Sequence, residues 1–219
     1  MRAAADYGYD RSNNPRCIRL SCQSSLAVAR VRGMIAQTPR LFLRLLTVDD
    51  EPALARLFVD AEVMRFGDGP QTPVWVQAWL RRALENYERC GYGPWAVMRK
   101  GSGDLIGYCG LFDYPDINGW PEVEIGYRLA RIHWGRGYAT EAVCAARDYA
   151  FGVLGLTRLI ALIDPANVVS IRVAEKAGLR YEADAMLPGY SHPDRVYVIE
   201  HRRRFESVEE LIADLDSDE

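Results

Sequence analysis

The segment from Glu124 to Ala142 limits the possible fold more than any other part of the 219-residue chain. It predicts a β-strand, a turn that contains Gly135 and Gly137, and a helix with small apolar side chains at helical spacing. Free N–H groups at a helix start and glycines that admit a ligand to the backbone are typical of phosphate binding. The third glycine of a dinucleotide fingerprint and the Gly-Lys-Ser/Thr of a P-loop are both missing. Taken alone, the segment also fits a turn that only needs positive φ angles.

Strands and helices alternate along most of the chain, which predicts an α/β fold, with α+β character, around one mixed sheet. The hydrophobic pattern predicts strands over 41–47, 93–99, 104–112, 123–130, 159–164, 180–186 and 195–202, and helices over 53–65, 74–90, 137–151 and 168–177.

The two ends of the chain differ from this patterned region. Residues 1–36 show no sustained apolar period, so we expect a disordered N-terminal extension, and Met34 is an alternative start of the protein. Residues 205–219 carry seven acidic residues and no basic one, which predicts an acidic tail. The folded domain is therefore expected over 37–204.

Composition excludes several classes of protein. The net charge is -3, of which residues 41–204 carry about -1, so the chain lacks the basic field of a nucleic-acid binder. No apolar run approaches the ~20 residues that span a bilayer. The five cysteines are odd in number, and neither they nor the three histidines show metal-ligand spacing. We expect a cytoplasmic monomer or homodimer that binds no metal, nucleic acid or membrane.

Six linked segments resemble a known family in their order and spacing. They are Thr38-Pro-Arg-Leu-Phe-Leu-Arg-Leu-Leu-Thr47, Gly91-Tyr-Gly-Pro-Trp-Ala96, Leu105-Ile-Gly-Tyr-Cys-Gly-Leu111, Glu124-Ile-Gly-Tyr127, Trp134-Gly-Arg-Gly-Tyr-Ala-Thr-Glu-Ala142, and Asn167-Val-Val-Ser170 followed by Glu175-Lys-Ala-Gly-Leu179. The chain resembles the GNAT superfamily of acetyl-CoA-dependent N-acetyltransferases, in particular the branch of the ribosomal-protein N-terminal acetyltransferases. This resemblance implies a twisted mixed sheet of six or seven strands flanked by helices. The fourth and fifth strands would splay apart and hold the pantetheine of acetyl-CoA.

The resemblance also implies which residues hold this co-substrate. The residues of the pyrophosphate loop would be Trp134, Gly135, Arg136, Gly137, Tyr138 and Ala139. Trp134 fills a position that is polar in much of the superfamily, and Arg131 stands where the branch usually has proline. The backbone of Leu129 would meet the pantetheine or the thioester carbonyl. Asn167 would contact the co-substrate, or it is an ordinary helix cap.

Transfer to an amine requires a proton acceptor and a way to stabilise the departing thiolate. Strand alternation presents Glu124 on a different face from its apolar neighbours, where its carboxylate can act as a general base through water. A salt bridge or a solvated face is the alternative. Many family members have a tyrosine at the position of Ala174, and Ser170 is the predicted replacement as general acid. A surface serine, or a thiolate that leaves unprotonated, is equally compatible with the sequence.

These residues predict acetyl transfer from acetyl-CoA to a primary amine by direct attack in a ternary complex. The amine would belong to a protein N-terminus or to a small molecule, and the loop with Tyr190, His192 and Asp194 is predicted to contact it. A non-catalytic acyl-CoA-binding regulatory module is the alternative, because the same glycines would serve it equally well.

Overall fold

The computed structural model describes residues 33–201. The predicted extension up to residue 32 and the predicted tail over 205–219 lie outside these residues. The strands are β1 (Met34–Gln37), β2 (Leu41–Leu45), β3 (Pro94–Arg99), β4 (Leu105–Ile117), β5 (Trp120–Leu129), β6 (Arg158–Ile163), β7 (Arg180–Ala185) and β8 (Asp194–Glu200). The helices are α1 (Glu51–Phe58), α2 (Ala61–Met64), α3 (Pro73–Arg89), α4 (Tyr138–Gly152) and α5 (Val168–Lys176), with short 3-10 turns at Val48–Asp50 and Arg131–His133.

The eight strands form one mixed sheet in the order β1-β2-β3-β4-β5-β6-β8-β7. Strands β5 and β6 are parallel, and all other neighbours are antiparallel. The sheet exceeds the expected six or seven strands because β1 adds an edge strand. Residues 34–36, which we expected to be disordered, are part of β1: four residues are too few to show an alternation, and their order comes from pairing with β2.

Helices cover both faces of the sheet. On one face, Phe58 of α1, Trp79 of α3 and Tyr108 of β4 pack with ring centroids 4.9 to 5.7 Å apart. On the other face, Trp95 of β3 meets Tyr149 of α4 edge-on at 5.3 Å. Large aromatic side chains that project from opposite faces of the sheet therefore pack against a helix layer on each face. Within residues 33–201, no helix is long and apolar enough to cross a membrane.

The expected splay lies between β5 and β6, which share a single register pair, Glu124 with Ile160. Beyond this pair the two strands run on without pairing and open towards their carboxyl ends. Strand β5 leads into α4, and β6 leads into α5. Because parallel strands end at the same sheet edge, the N-termini of both helices lie at this opening.

Candidate active site

The turn between β5 and α4 carries unpaired backbone donors. Gly135 and Gly137 have φ angles of +70° and +77°, a left-handed conformation that glycine adopts without strain. A Cβ atom at Gly135 would meet no atom within 4 Å, so the backbone conformation, and not crowding, requires this glycine. Gly137 is the N-cap of α4 and offers no side chain to the first helical N–H groups. These groups can therefore bind an anion, which the helix dipole also attracts.

A cavity of about 300 Å³ lies against this turn. The predicted site residues that line it are Leu129, Trp134, Gly135, Gly137, Tyr138, Ala139, Asn167 and Ser170. Glu124 and Arg136 do not line it. Arg172 and Lys176 of α5 also line the cavity, and sequence analysis missed both, although two basic residues four apart share one helix face. Their positive charges suit a polyanionic ligand.

Arg40 fixes the glycine turn from the start of β2. Its Nε donates to Glu141 Oε2 at 2.6 Å, its Nη1 donates to the carbonyl of Arg136 at 2.8 Å, and its guanidinium lies 4.7 Å from the ring centroid of Tyr138. Burial acts to raise the pKa of Glu141, but hydrogen bonds from Thr38 and Arg40 outweigh it and lower that pKa. The carboxylate in the first turn of α4 is thus neutralised by Arg40, which reduces its repulsion of a phosphate group.

Two predicted co-substrate residues hold the backbone of the site. The Trp134 indole donates to the carbonyl of Leu129 at 2.7 Å and ties the turn to the end of β5. One acceptor position of the Leu129 carbonyl is therefore already used. Asn167 caps α5 by accepting from the backbone N–H of Ser170 at 3.2 Å, and it also lines the cavity. The cap and the predicted ligand contact are therefore compatible.

Glu124 lies at the vertex where β5 and β6 begin to separate. Its side chain is fully buried, and neither carboxylate oxygen has a hydrogen-bond partner among the described residues. Burial raises the pKa of Glu124 to about 8, and the charge of Asp194 adds to this. A carboxyl group with this pKa can accept and release a proton near neutral pH. Glu124 is therefore not on a solvent-exposed face of the strand, which was one of the alternatives that the sequence allowed.

Tyr127 and Ser170 form a polar pair across the opening between β5 and β6. The two hydroxyl oxygens are 3.2 Å apart, and both residues line the cavity. Sequence analysis assigned no function to Tyr127. Strand alternation cannot reveal a contact with a helix 43 residues further along the chain.

The loop between β7 and β8 lies on the Glu124 side of the site. Asp194 is buried and close enough for its charge to affect Glu124. His192 Nε2 lies 3.5 Å from Asp164 Oδ2, and Tyr190 donates to Asp68 at 2.8 Å. The fold therefore groups Asp164, His192 and Asp194, with ligand atoms within 4.8 Å of one another, which their spacing in the sequence did not predict.

A sheet opened between two parallel strands, beside a helix start with free backbone N–H groups, can hold an extended ligand that carries phosphate groups. The family model described as an acetyltransferase (GNAT) domain matches residues 40–180. The chain therefore belongs to the GNAT acetyltransferase family and is an acetyl-CoA-dependent acetyltransferase.

Two proteins of Bacillus species are similar to this chain. The uncharacterized protein YkkB of Bacillus subtilis is 38% identical over 145 residues, which are 66% of this chain and 84% of that protein. The uncharacterized N-acetyltransferase p20 of Bacillus licheniformis is 32% identical over 159 residues, 70% of this chain and 85% of that protein.

Solved structures show the same fold. A GNAT-family acetyltransferase from Bacillus anthracis has a TM-score of 0.64 and 28% identity, covering 75% of this chain and 97% of that one. RimL, a ribosomal-protein acetyltransferase in complex with coenzyme A, has a TM-score of 0.64 at 18% identity, covering 76% and 97%, which shows a shared fold.

Proposed function

We propose that the protein transfers the acetyl group of acetyl-CoA to a primary amine by direct attack within a ternary complex. The observation that carries this proposal is Glu124, a buried carboxyl group with a pKa near 8 at the vertex between β5 and β6. The opening that begins at this vertex leads to the glycine turn and the start of α4. A carrier whose phosphates lie against that turn has its acyl end between the two strands.

Different residues bind the phosphates at one end of the site and accept the proton at the other. At the phosphate end, the N–H groups that follow Gly137 bind the pyrophosphate, and Arg172 and Lys176 add positive charge. At the acyl end, Glu124 accepts the proton that the amine must lose as its nitrogen bonds to the carbonyl carbon. A primary amine is attracted to this end because the negative charge of Asp194 lies close by.

Direct attack is favoured over a covalent acyl-enzyme by the state of the nearby cysteines. Cys109 faces Tyr127 across the β4–β5 pair, and burial raises the pKa of its thiol well above the usual range. Burial also raises the pKa of the Cys144 thiol. The thiolate is the nucleophilic form of cysteine, so neither residue is suited to accept the acetyl group.

The test is the release of CoA thiol from acetyl-CoA over a panel of peptides with free N-termini and small amines such as amino acids, amino sugars and polyamines. We expect turnover with at least one acceptor, and a loss of ~10²–10⁴-fold in kcat in Glu124→Gln with acetyl-CoA affinity unchanged. The panel also separates the two classes of acceptor, protein N-termini and small molecules.

Glu122→Gln is the matched control, because Glu122 lies on the same face of β5 and pairs with Arg158 at 2.9 Å. It should lose stability but keep its turnover per folded molecule. Acetyl-CoA binding without turnover over the whole panel would instead favour the non-catalytic binding module. Equal turnover in Glu124→Gln and the wild type would remove Glu124 from the mechanism.

A further inference from the structure

Two hydroxyl groups face each other across the opening between β5 and β6. Tyr127 projects from β5, and Ser170 lies in the first turn of α5, which follows β6. Their oxygen atoms are 3.2 Å apart, and both side chains line the cavity. A ligand in this cavity can therefore reach the pair.

The two hydroxyl groups together have one hydrogen that is not used in the hydrogen bond between them. Each hydroxyl group carries one hydrogen, and the bond between them uses one of the two. Among the described residues, neither hydroxyl has another hydrogen-bond partner. Whichever group donates in the pair, the remaining hydrogen can be directed to a ligand atom in the cavity. In a site with little water, such a donor is worth more to a developing negative charge than in solution.

We propose that Tyr127 is a catalytic residue whose hydroxyl, paired with Ser170, donates the hydrogen bond that stabilises the CoA thiolate as it leaves. The proposal rests on the acetyl transfer proposed above. In that transfer the amine nitrogen bonds to the carbonyl carbon, and its proton passes to the Glu124 carboxylate. The C–S bond breaks, and sulfur keeps the electron pair. The thiolate then takes its proton from solvent, so no further reactant is needed.

The acidity of the tyrosine agrees with donation of a hydrogen bond and not of the proton itself. Burial raises the pKa of Tyr127 to about 12, so the hydroxyl stays protonated over the whole working range. A thiol has a pKa of about 8.5 and is the stronger acid. The proton therefore stays on the tyrosine oxygen, and the thiolate is stabilised without being protonated by the enzyme.

The test titrates the thiol of CoA bound to the wild type and to Tyr127→Phe, followed by the ultraviolet absorbance of the thiolate. In the wild type the donated hydrogen bond should hold the pKa of the bound thiol below that of free CoA. In Tyr127→Phe we expect this pKa to rise by about one unit and kcat to fall about tenfold, as the loss of one hydrogen bond to a charged group implies. The KM for acetyl-CoA should change little. Tyr181→Phe, on the exposed strand β7, is the matched control and should change neither value.

Ser170→Ala is the second variant, and it tests the pair if Tyr127→Phe does not fold. It should also raise the thiol pKa, and the double variant should be little worse than either single one, because the two hydroxyls act as a unit. An unchanged thiol pKa in the folded variants overturns the proposal, even if kcat falls, since a purely structural role would lower kcat alone. Binding of CoA by the wild type without any turnover would count against acetyl transfer, while the titration would still decide the hydroxyl pair.

Discussion

At Glu124, burial and ionisation oppose each other. The side chain is fully buried at the strand vertex, and its pKa of about 8 means that the folded protein holds the proton far more tightly than the unfolded chain, whose glutamate pKa is near the usual 4.5. Glu124 must lose its proton to act as a base, and this deprotonation therefore destabilises the folded protein. The same residue links the pH dependence of activity to that of stability.

We predict that kcat/KM rises with pH and levels off above about 8, because only the deprotonated Glu124 accepts the amine proton. Stability should change in the opposite direction. Since the folded pKa is raised, the stabilising contribution of the protonated carboxyl is complete below about 4.5 and is lost as pH rises towards 8. Rate profiles and denaturant unfolding at matched pH values measure the two effects.

Glu124→Gln separates these effects from the acceptor's own titration. The variant should lose the limb near pH 8 and, above that pH, unfold at a higher denaturant concentration than the wild type, because no charge is buried. Acceptors of different amine pKa would move a limb that belongs to the substrate but not one that belongs to the enzyme. A variant that is less stable at high pH would identify Glu124 as a structural partner of a positive group instead.

At the scale of the element, the start of α4 depends on a glycine with positive φ. An alanine at Gly137 would adopt φ near +77° at a cost of about 1–2 kcal/mol, and its Cβ atom would lie 3.4 Å from Arg40 Nη2. We predict that Gly137→Ala weakens acetyl-CoA binding about tenfold, corresponding to about 1.4 kcal/mol. Gly137→Glu, which adds a negative charge, should abolish binding in calorimetry.

Gly101 provides the control for backbone strain. It has a φ of +87°, lies in the exposed turn between β3 and β4, and a Cβ atom there would meet nothing within 4 Å. Gly101→Ala should therefore lose similar stability while binding acetyl-CoA like the wild type. If both alanine variants bind equally well, the turn does not hold the phosphates.

Element boundaries show which parts of the fold can be predicted from the sequence. The long helix expected over 74–90 is present because Thr72 caps it and its apolar stripe is unbroken. The helix expected over 53–65 is split, since the Asp60 side chain accepts from two backbone N–H groups and begins a second helix. Strand β4 runs on to Ile117, five residues beyond the expected end at 112. The Asn118-Gly119 pair, with φ of 54° and 93°, is a hairpin signal that would have predicted this.

The candidate site also contains some features that the sequence predicts and others that it does not. The glycine turn and the caps of α4 and α5 are local, so their positions follow from spacing along the chain. The contact of Arg40 with Glu141 joins residues 101 apart, and that of Tyr127 with Ser170 joins residues 43 apart. Such contacts depend on how the sheet is ordered, which periodicity does not specify.

For the whole molecule, the opening in the sheet separates two regions of opposite charge. Arg172 and Lys176 line the cavity beside the glycine turn, whereas Asp164 and Asp194 lie towards the β7–β8 side. An anionic carrier and a cationic amine are thereby attracted to different sides of one opening. This arrangement requires β5 and β6 to remain together at the vertex, although one register pair joins them.

An ion-pair network on β6 closes that vertex. Arg158 contacts Glu122 of β5 at 2.9 Å, Glu182 of β7 at 2.6 Å and Glu200 of β8 at 3.1 Å. One guanidinium therefore connects three strands beside the sole register pair. Networks of this kind contribute more than isolated surface pairs do.

We predict that Arg158→Met lowers the free energy of unfolding by about 1–3 kcal/mol, because three neighbouring carboxylates lose their common cation. Urea unfolding measures this loss. Arg99→Met is the control. Arg99 forms a single surface ion pair with Asp104 at 3.2 Å, so this substitution should cost at most about 1 kcal/mol.

The stabilisation by Arg158 should also depend on pH. Hydrogen bonds from Arg158 lower the pKa of Glu182 below its usual value of 4.5. The stabilisation that Glu182 contributes is therefore present above pH 4.5 and is lost as the pH falls through the lowered pKa. The difference between Arg158→Met and the wild type should therefore shrink in acid. A difference that is independent of pH, or no larger than that of Arg99→Met, would mean that apolar packing alone holds the two strands together.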